Sequence, residues 1–204
     1  MTTNLTTRLL TTSDLHLISD CVNQHNFMYG VPIDKTIIIN RFISTFDDSN
    51  KNVIGCFEGK NCIGVCTQQL WIQVPGWILS NLFVKTTDNN ILTRKYFRVW
   101  GALMEFTTTL AESKSYFDMY YVVRDNDNLY RKSWGKKELE NSSVSSFTKR
   151  YEVRTIHILR SPNDIKWPYI KRLIGDIGIQ ALSPPHNKVL HVRRATLIDK
   201  CIPN

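Results

Sequence analysis

The cysteines are the residues of this chain that could bind a metal or form disulfides. They are Cys21, Cys56, Cys62, Cys66 and Cys201, an odd set without a Cys-x-x-Cys pair. Cys62 and Cys66 are four apart on a predicted strand, where both would point to the same face, and no histidine lies near them in the sequence. We therefore expect reduced thiols and no metal site.

Basic residues could attract nucleic acid, a phosphate-bearing cofactor or an acidic protein surface. The net charge is +8, and beyond position 100 there are 17 basic and 11 acidic residues. Acidic residues such as Glu138, Glu152 and Asp164 are interspersed, and no nucleic-acid-binding motif frames the basic ones. A solvated basic face is the simpler interpretation. Nucleic-acid binding is the alternative, and it would weaken steeply with salt.

Candidate proton acceptors are scarce in the central part of the sequence. No acidic residue occurs between Glu58 and Asp88. Glu58 lies in a predicted turn, where a solvated carboxylate is the more common finding. His25 and His157 could accept a proton, although a strand histidine such as His157 is more often a structural residue with satisfied hydrogen bonds. The acid–base apparatus is therefore incomplete.

The length and composition bound the class of protein. A chain of 204 residues, 42% hydrophobic and 11% aromatic, can build the core of one domain or of one domain with an appendage. No segment has the apolar length of a membrane span, and polar residues follow Met1 where a secretion signal would be basic and then apolar. We expect a protein that is not secreted and has no transmembrane segment, located in the cytoplasm or in a virion.

The elements that must position these side chains follow from apolar periodicity and turn residues. The first half predicts a strand at 5–10, helices beginning near Leu15 and Asp34, and a three-stranded meander at 53–57, 62–71 and 77–84. The second half predicts a helix at 93–113, a strand at 116–123, a short helix at 129–136 and a strand at 147–159. Trp167-Pro168 then begins a helix that Gly175 ends, and the last strand covers 189–197. This order predicts a mixed α/β (α+β) fold.

Three segments in this order carry a family resemblance. The first is Arg8 to Leu15, in which a basic strand residue precedes a Thr/Ser-rich turn. The second is Val53 to Val65, in which two strands are joined by a turn that contains an acidic residue and a glycine. The third is Asn128 to Gly135, a divergent form of a motif with Asn, then Tyr, then basic residues and Gly. Together they resemble the GNAT acyltransferase superfamily over residues 5 to about 159. The resemblance implies a mixed, mostly antiparallel central sheet flanked by helices in a domain at 1–159. Residues 160–204 would form a C-terminal extension, whose strand at 189–197 could complete the sheet.

The resemblance also implies where a cofactor would bind. In that family acetyl-CoA places its pyrophosphate on backbone N–H groups at a glycine-containing loop that enters a helix. Residues of the equivalent stretch here would be Asn90, Thr93, Arg94 and Lys95, and Leu82 and Val84 would lie along the pantetheine arm. The chain has 9 glycines, and residues 85–95 contain none, whereas Asp88 adds a negative charge. We expect no ordinary cofactor, and acetyl-CoA only if this loop binds phosphate in an atypical way.

Tyr130 is the catalytic candidate that the resemblance implies. Many family members place a tyrosine there to protonate the departing CoA thiolate, which suits a phenol with a pKa of about 10 facing a thiol with a pKa of about 8.5. The alternative is a helix tyrosine whose ring packs on the sheet and whose hydroxyl is solvated. Because the phosphate loop departs from the family pattern, we favour the structural role.

Two functions follow from these observations. The first is a GNAT-like domain that has lost ordinary acetyl-CoA catalysis and binds protein partners in an assembly, with the extension from Arg160 as a partner-binding surface. A composition rich in Asn, Thr, Ile and Lys hints at an AT-rich genome, and a phage or other viral structural protein is one specific form of this hypothesis. The second is an active acetyl-CoA-dependent N-acetyltransferase with an atypical phosphate loop and Tyr130 as general acid.

Overall fold

A computed structural model describes residues 4–71, 76–85, 94–124 and 150–198, and for 94–97 it describes the backbone alone. The strands are β1 (Leu5–Leu9), β2 (Phe27–Met28), β3 (Val31–Pro32), β4 (Lys51–Glu58), β5 (Asn61–Trp71), β6 (Gly76–Val84), β7 (Asp118–Arg124), β8 (Tyr151–Leu159) and β9 (Leu190–Leu197). The helices are α1 (Leu15–Asn23), α2 (Lys35–Phe46), α3 (Arg94–Glu112) and α4 (Pro168–Leu182). Two single-turn helices, Thr12–Asp14 and Pro162–Asp164, complete the described elements.

Seven strands form one central sheet in the order β1-β4-β5-β6-β7-β9-β8. Every neighbouring pair in it is antiparallel except β6 and β7, which are parallel. Strands β2 and β3 form a separate small hairpin. The predicted fold class, a mixed and mostly antiparallel sheet flanked by helices, is confirmed. The last strand, β9, lies inside the sheet between β7 and β8.

The two faces of the sheet are covered by different helices. Helix α3 packs on one face, where Val99, Leu103 and Met104 join the core formed with β5, β6 and β7. Helices α1 and α2 cover part of the other face through Ile18, Ile38 and Phe42, among other residues. Helix α4 covers the rest of that face, over β7 and β9. Each of these helices has apolar residues at helical spacing, and this spacing determines which face of the helix packs on the sheet.

Carboxylates bond to the chain at the start of α2 and just before α1. Asp34 caps α2 by accepting hydrogen bonds from the backbone N–H groups of Thr36 at 2.9 Å and Ile37 at 3.2 Å. Asp14 precedes α1 and accepts from the Thr11 N–H at 2.9 Å and from the Arg8 guanidinium at 2.8 and 2.9 Å. The two bonds of Asp34 satisfy end donors of α2 that would otherwise lack partners, whereas Asp14 forms a capping box with Thr11 at the single-turn helix Thr12–Asp14 and makes no capping bond to α1. The bonds of Asp14 also connect β1 to the first helix.

The structure corrects the expectation for Cys62 and Cys66. The pairing of β4 with β5 shifts between Cys56 and Phe57, which face Gly64 and Cys62, so β5 carries one extra residue at Ile63. This bulge reverses the alternation of side chains. Cys62 therefore packs under α1 and α2, whereas Cys66 packs in the core under α3. All four cysteines in the described part of the chain are buried thiols.

One expectation about the helices is confirmed, and two features of the strands differ from expectation. Gly175 ends the first segment of the last helix as predicted, because its backbone, with φ 60°, is non-helical, and a second helical segment continues from this kink to Leu182. The predicted strand at 147–159 begins at Tyr151 in the described residues. The β2–β3 hairpin was not expected, and its strands are too short for periodicity to reveal. The short helix predicted at 129–136 lies outside the described residues.

Within the described ranges, none of the helices combines the length and the apolar character needed to span a bilayer. A group of three or more side chains suited to holding a metal ion is likewise not found among the residues in those ranges.

Candidate functional site

The parallel strands β6 and β7 separate soon after they meet. They pair at Trp77 with Met119 and at Ile78 with Tyr120, and the described residues pair no further. Gly76 makes the approach possible, because a side chain there would lie 2.6 Å from the Tyr120 ring. No described pairing joins the two strands beyond Ile78, and we refer to the region between their carboxyl ends as the cleft. A ligand in an open α/β sheet typically binds at such a place, where the strand connections change direction.

A β-bulge shapes the β6 side of this cleft. Between Val65 and Thr67 of β5, the partners on β6 change from Phe83 to Ser80, so β6 carries one extra residue. Asn81 within the bulge has a positive φ of 48°. Ser80, Asn81 and Leu82 are partly exposed, although β6 is a central strand. The bulge thus turns a short stretch of a buried strand toward solvent.

Side-chain hydrogen bonds hold the bulge from the β5 side. The Thr67 hydroxyl donates to the Ser80 carbonyl oxygen at 3.0 Å. It accepts from the Asn81 amide at 3.1 Å and lies 2.8 Å from the Ser80 hydroxyl. Because Thr67 is buried and its hydroxyl is satisfied, this geometry is fixed by the core. The exposed stretch of β6 is therefore preorganised.

His25 lies at the carboxyl end of β6. Its Nε2 is 2.8 Å from the carbonyl oxygen of Val84, and because a carbonyl can only accept, Nε2 carries the proton. The Lys85 N–H donates to Ile63 on β5 at 2.8 Å, so the preceding peptide carbonyl, that of Val84, points away from β5 and toward the cleft. His25 thus occupies a backbone acceptor on the cleft side of β6.

The His25 ring is neutral in these surroundings. Burial lowers its pKa from the ordinary value, the nearby Lys35 lowers it further, and the Val84 carbonyl acts in the opposite direction. The ring packs edge-on against Phe83 with centroids 5.2 Å apart, and Phe83 contacts Phe42 of α2. A neutral imidazole that donates from Nε2 keeps a lone pair on Nδ1. His25 is therefore held in one tautomer by the core.

Other residues expected to do chemistry lie away from the cleft. His157 is on β8, with β7 and β9 between it and β6. Its Nε2 is 3.0 Å from the Tyr169 hydroxyl, and its ring stacks near Trp167 with centroids 4.5 Å apart. Glu58 ends β4, which β5 separates from β6. Neither residue is brought together with His25.

The residues that the resemblance implied for the cofactor are described in part. Val84 is buried, with its carbonyl bonded to His25, and Leu82 is partly exposed while packing against the core under α3. The backbone of Arg94 and Lys95 lies in the first turn of α3. Asn90, Thr93 and the catalytic candidate Tyr130 lie outside the described residues. Their roles stay predictions.

Sequence reasoning did not single out the bulge residue Asn81 or the tip of the β2–β3 hairpin, Tyr29 and Gly30. An Asn in a strand and a Gly before a Val-Pro pair are turn signals that could have identified both. Tyr29 packs against the core under α1 and α2 and also against the core under α4. Burial raises the pKa of Tyr29 to about 12. The hairpin tip therefore joins the two parts of this face.

Similarity to known proteins is found in the structure and not in the sequence. No protein-family model matches the chain, and no curated protein matches it in sequence. Among solved structures, the ribosomal-protein-S18-alanine N-acetyltransferase of Escherichia coli superposes with a TM-score of 0.59 at 12% identity, covering 98% of this chain and 99% of that one. A probable acetyltransferase of Staphylococcus epidermidis gives 0.61 at 15% identity, with 95% and 99% covered. An aminoglycoside 6'-acetyltransferase of type Ii gives 0.58 at 11% identity, with 96% and 99% covered.

Identities this low speak to the fold and not to the activity. What this chain has in common with those acetyltransferases is an arrangement of the backbone that superposes over more than nine-tenths of each chain. The chain therefore has the GNAT-like fold.

Proposed function

We propose that this GNAT-like domain has lost ordinary acetyl-CoA catalysis and uses the cleft between β6 and β7 to bind a protein partner. The observation that carries the proposal is the hydrogen bond from His25 to the Val84 carbonyl. Under the family resemblance, this stretch of β6 lies along the pantetheine arm. An acceptor that already has a buried donor gains little from a second ligand.

The surroundings of the cleft support the same reading. The sequence between Glu58 and Asp88 supplies no carboxylate, so β5 and β6 carry no acidic general base. Residues 85–95 contain no glycine to let a pyrophosphate approach the backbone. The cleft keeps a preorganised and partly exposed backbone at Ser80 to Leu82, which suits binding by an extended segment.

The partner class is a protein assembly, for which the second half of the chain supplies a basic surface. The Asn-, Thr-, Ile- and Lys-rich composition is typical of an AT-rich genome, of which a phage or other virus is one source, and a virion component is one form of this proposed role. Because β9 belongs to the central sheet and α4 buries one face in the core, the outer face of α4 and the turns of 160–189 are the described parts of the extension that could face a partner.

A specific observation favours a second candidate, an active N-acetyltransferase. The described pairing of β6 with β7 ends at Ile78, and the bulge at Asn81 leaves Ser80 to Leu82 partly exposed. His25 would then serve as general base through Nδ1, since it is neutral, with Tyr130 as general acid. Backbone N–H groups at Asn90 to Lys95 would hold the pyrophosphate.

Replacing His25 separates the two candidates. If His25 blocks the cleft, His25→Ala frees the Val84 carbonyl and raises the affinity for acetyl-CoA. A ligand at about 100 times its dissociation constant stabilises the folded state by about 2.7 kcal/mol, which is a shift of roughly 5–11 °C in Tm for a chain of this size. We expect such a shift with about 1 mM acetyl-CoA in His25→Ala and none in the wild type, measured by thermal unfolding.

His157→Ala is the matched control, because it removes an imidazole from β8 and leaves β6 untouched. It is expected to respond to acetyl-CoA as the wild type does. A wild-type protein that is stabilised by acetyl-CoA, and that loses this stabilisation in His25→Ala, would instead establish the acetyltransferase candidate.

A further inference from the structure

Two of the buried cysteines lie in contact where α1 packs on β5. Sγ of Cys21, on α1, is 4.0 Å from Sγ of Cys62, on β5, and 3.9 Å from the Cys62 carbonyl oxygen. Cys21 is 0% exposed and Cys62 is 1% exposed, and both belong to the core under α1 and α2. Both are free thiols in this structure. The two sulfurs therefore meet although the residues are 41 positions apart in the chain.

The β-bulge at Ile63 is what brings Cys62 to this side of the sheet. Side chains alternate along a strand, so without the extra residue Cys62 would share a face with Cys66. With the extra residue, Cys62 faces Cys21, while Cys66 lies in the core under α3. A bulge can re-aim a side chain in this way. Cys66, which is buried on the same strand, is therefore the natural comparison for Cys62.

The distance between the two sulfurs suits a pair of thiols that can become a disulfide. A disulfide has an S–S length of about 2.05 Å, so the sulfurs of Cys21 and Cys62 must approach each other by roughly 2 Å. A cysteine side chain has three staggered rotamers, and a change of rotamer moves Sγ without moving the backbone. A small shift of α1 on the sheet would have the same effect.

The electrostatic surroundings favour Cys62 as the thiol that reacts first. The Cys21 thiol, as a hydrogen-bond donor, lowers the pKa of Cys62, and the cations of Lys85 and Arg8 lower it further, whereas burial opposes them. The pKa of Cys21 is raised, first by its bond to Cys62 and then by burial. Because the thiolate is the nucleophile in thiol oxidation, this asymmetry gives one attacking thiol and one resolving thiol.

The pair is buried close to the surface. Cys62 follows the exposed Asn61 at the end of the β4–β5 turn, and α1 ends at the exposed Asn23, two residues after Cys21. The last turn of a helix opens readily because it has few intrahelical hydrogen bonds beyond it. Hydrogen peroxide is a small molecule and needs only such an opening to reach the sulfurs.

We propose that Cys21 and Cys62 are a peroxide-sensitive modification site, which forms a disulfide and ties the end of α1 to β5. The Cys62 thiolate attacks hydrogen peroxide, the O–O bond breaks, and the products are a Cys62 sulfenic acid and hydroxide, which takes up the proton that Cys62 had lost. The Cys21 sulfur then attacks the Cys62 sulfur, and the sulfenic hydroxyl group leaves as water with the proton of Cys21. Two thiols are oxidised to one disulfide, and one peroxide is reduced to two waters.

The disulfide acts on the hydrogen bond between His25 and Val84. His25 comes two residues after the end of α1. Ile63, which follows Cys62, accepts a hydrogen bond from the N–H of Lys85 at 2.8 Å, and Lys85 follows Val84. A covalent link at this point therefore holds both sides of the bond, and oxidation fixes His25 on the cleft side of β6. The disulfide itself is independent of the proposed function, whereas its consequence for the cleft rests on that function.

Peptide mapping of the full chain by mass spectrometry tests the disulfide. The reduced wild-type protein is treated with an excess of hydrogen peroxide, its remaining thiols are alkylated, and it is digested. We expect the intact protein to lose the mass of two hydrogen atoms, one cross-linked peptide pair to join Cys21 to Cys62, and dithiothreitol to reverse both changes. Free thiols at both positions, or a disulfide from Cys62 to any other cysteine, Cys201 included, would overturn the proposal.

Two alanine variants test whether the bulge selects the reactive thiol. Cys62→Ala removes the attacking thiol, and Cys66→Ala is the matched control, because it removes a buried thiol from the same strand. We expect no disulfide in Cys62→Ala and the same disulfide as in the wild type in Cys66→Ala. Thermal melts under reducing conditions report whether each variant folds, and the wild-type peptide map decides if Cys62→Ala does not. A disulfide of Cys21 in Cys62→Ala would contradict the pairing.

Hydrogen exchange measures whether the disulfide ties α1 to the sheet. Amide exchange in residues 15–26 should slow by about tenfold or more on oxidation, because the link suppresses local opening of this helix end, and exchange in α4 should not change. Unchanged exchange in residues 15–26 of the oxidised protein would refute the tie. Binding of acetyl-CoA by the oxidised protein would refute the loss of the cofactor site and leave the peptide map as it is, so the two failures are distinguishable.

Discussion

The first half of strand β6 and the bulge that follows it differ in burial and in strand pairing, although they belong to one continuous strand. Gly76 to Leu79 are buried, and this half is paired with β5 on one side and with β7 on the other through Trp77 and Ile78. Ser80 to Leu82, at the bulge, are partly exposed, and Ser80 alone of these three pairs with β5 in the described register. Phe83 and Val84 are buried again, so the strand is core at both ends and partly exposed only at its bulge. The topology creates the site, because a parallel neighbour that diverges uncovers backbone that apolar periodicity alone would bury.

The largest effect on folding is expected from removing β9, the strand that lies between β7 and β8 in the sheet. Deleting residues 180–204 removes β9, which pairs with both β7 and β8, and it uncovers the core under α4. We expect insoluble protein, judged by soluble yield and circular dichroism. Deleting residues 199–204 keeps every described strand and should give a folded protein. A soluble, cooperatively folded 180–204 deletion would show that the sheet does not depend on β9.

Truncations along β6 should differ between its two halves. Trp77 is 1% exposed and contributes to the core under α3, so Trp77→Ala should lower the free energy of unfolding by about 3–5 kcal/mol. Leu82 is partly exposed, and Leu82→Ala should cost about 1 kcal/mol. Urea unfolding measures both values. Similar costs at the two positions would mean that the cleft half of β6 is as tightly packed as the closed half.

A smaller effect on the free energy of unfolding is expected beside β1, the edge strand of the sheet, where the Asp14 carboxylate bonds to Arg8 and Thr11. The Arg8 guanidinium and then the Thr11 N–H hold the pKa of Asp14 well below its ordinary value. A lowered folded-state pKa stabilises the protein above the unfolded pKa, and this contribution is lost as the pH falls through the folded pKa. Asp14→Asn should cost about 1–2 kcal/mol at neutral pH, and the difference from wild type should shrink in strong acid.

Urea unfolding at several pH values measures this dependence. Asp176→Asn is the control, because the Asp176 side chain is 90% exposed in its pair with Arg41 and such surface pairs contribute little. A cost for Asp14→Asn that stays constant from neutral pH into strong acid would show that the charge of Asp14 is not what stabilises this edge.

Most of the fold could be predicted from local patterns. The apolar stripes of α1, α2 and α3, the turn at Glu58 to Asn61 and the terminal strand all appear close to the predicted positions. Such patterns are set by neighbours in sequence, which is why they survive without tertiary information. The two bulges, at Ile63 and Asn81, were not predictable in this way. They arise from register between strands, and a single extra residue moved Cys62 and Cys66 to opposite faces.

The candidate site could be predicted only in its location. The resemblance pointed to β6 and named Val84, but the group that bonds its carbonyl, His25, is 59 residues earlier in the chain. Nothing in the sequence near His25 indicates that pairing. Long-range contacts of this kind follow from topology and not from motif spacing.

Calorimetric titration of the wild-type protein with acetyl-CoA tests the central claim most directly. With His25 on the Val84 carbonyl and no glycine in residues 85–95, we predict no saturable heat of binding up to about 1 mM cofactor, a limit that corresponds to a binding free energy near −4 kcal/mol. One-to-one binding with a micromolar dissociation constant, weakened by Arg94→Gln/Lys95→Gln and not by Lys171→Gln/Arg172→Gln, would contradict the account and identify a working cofactor site.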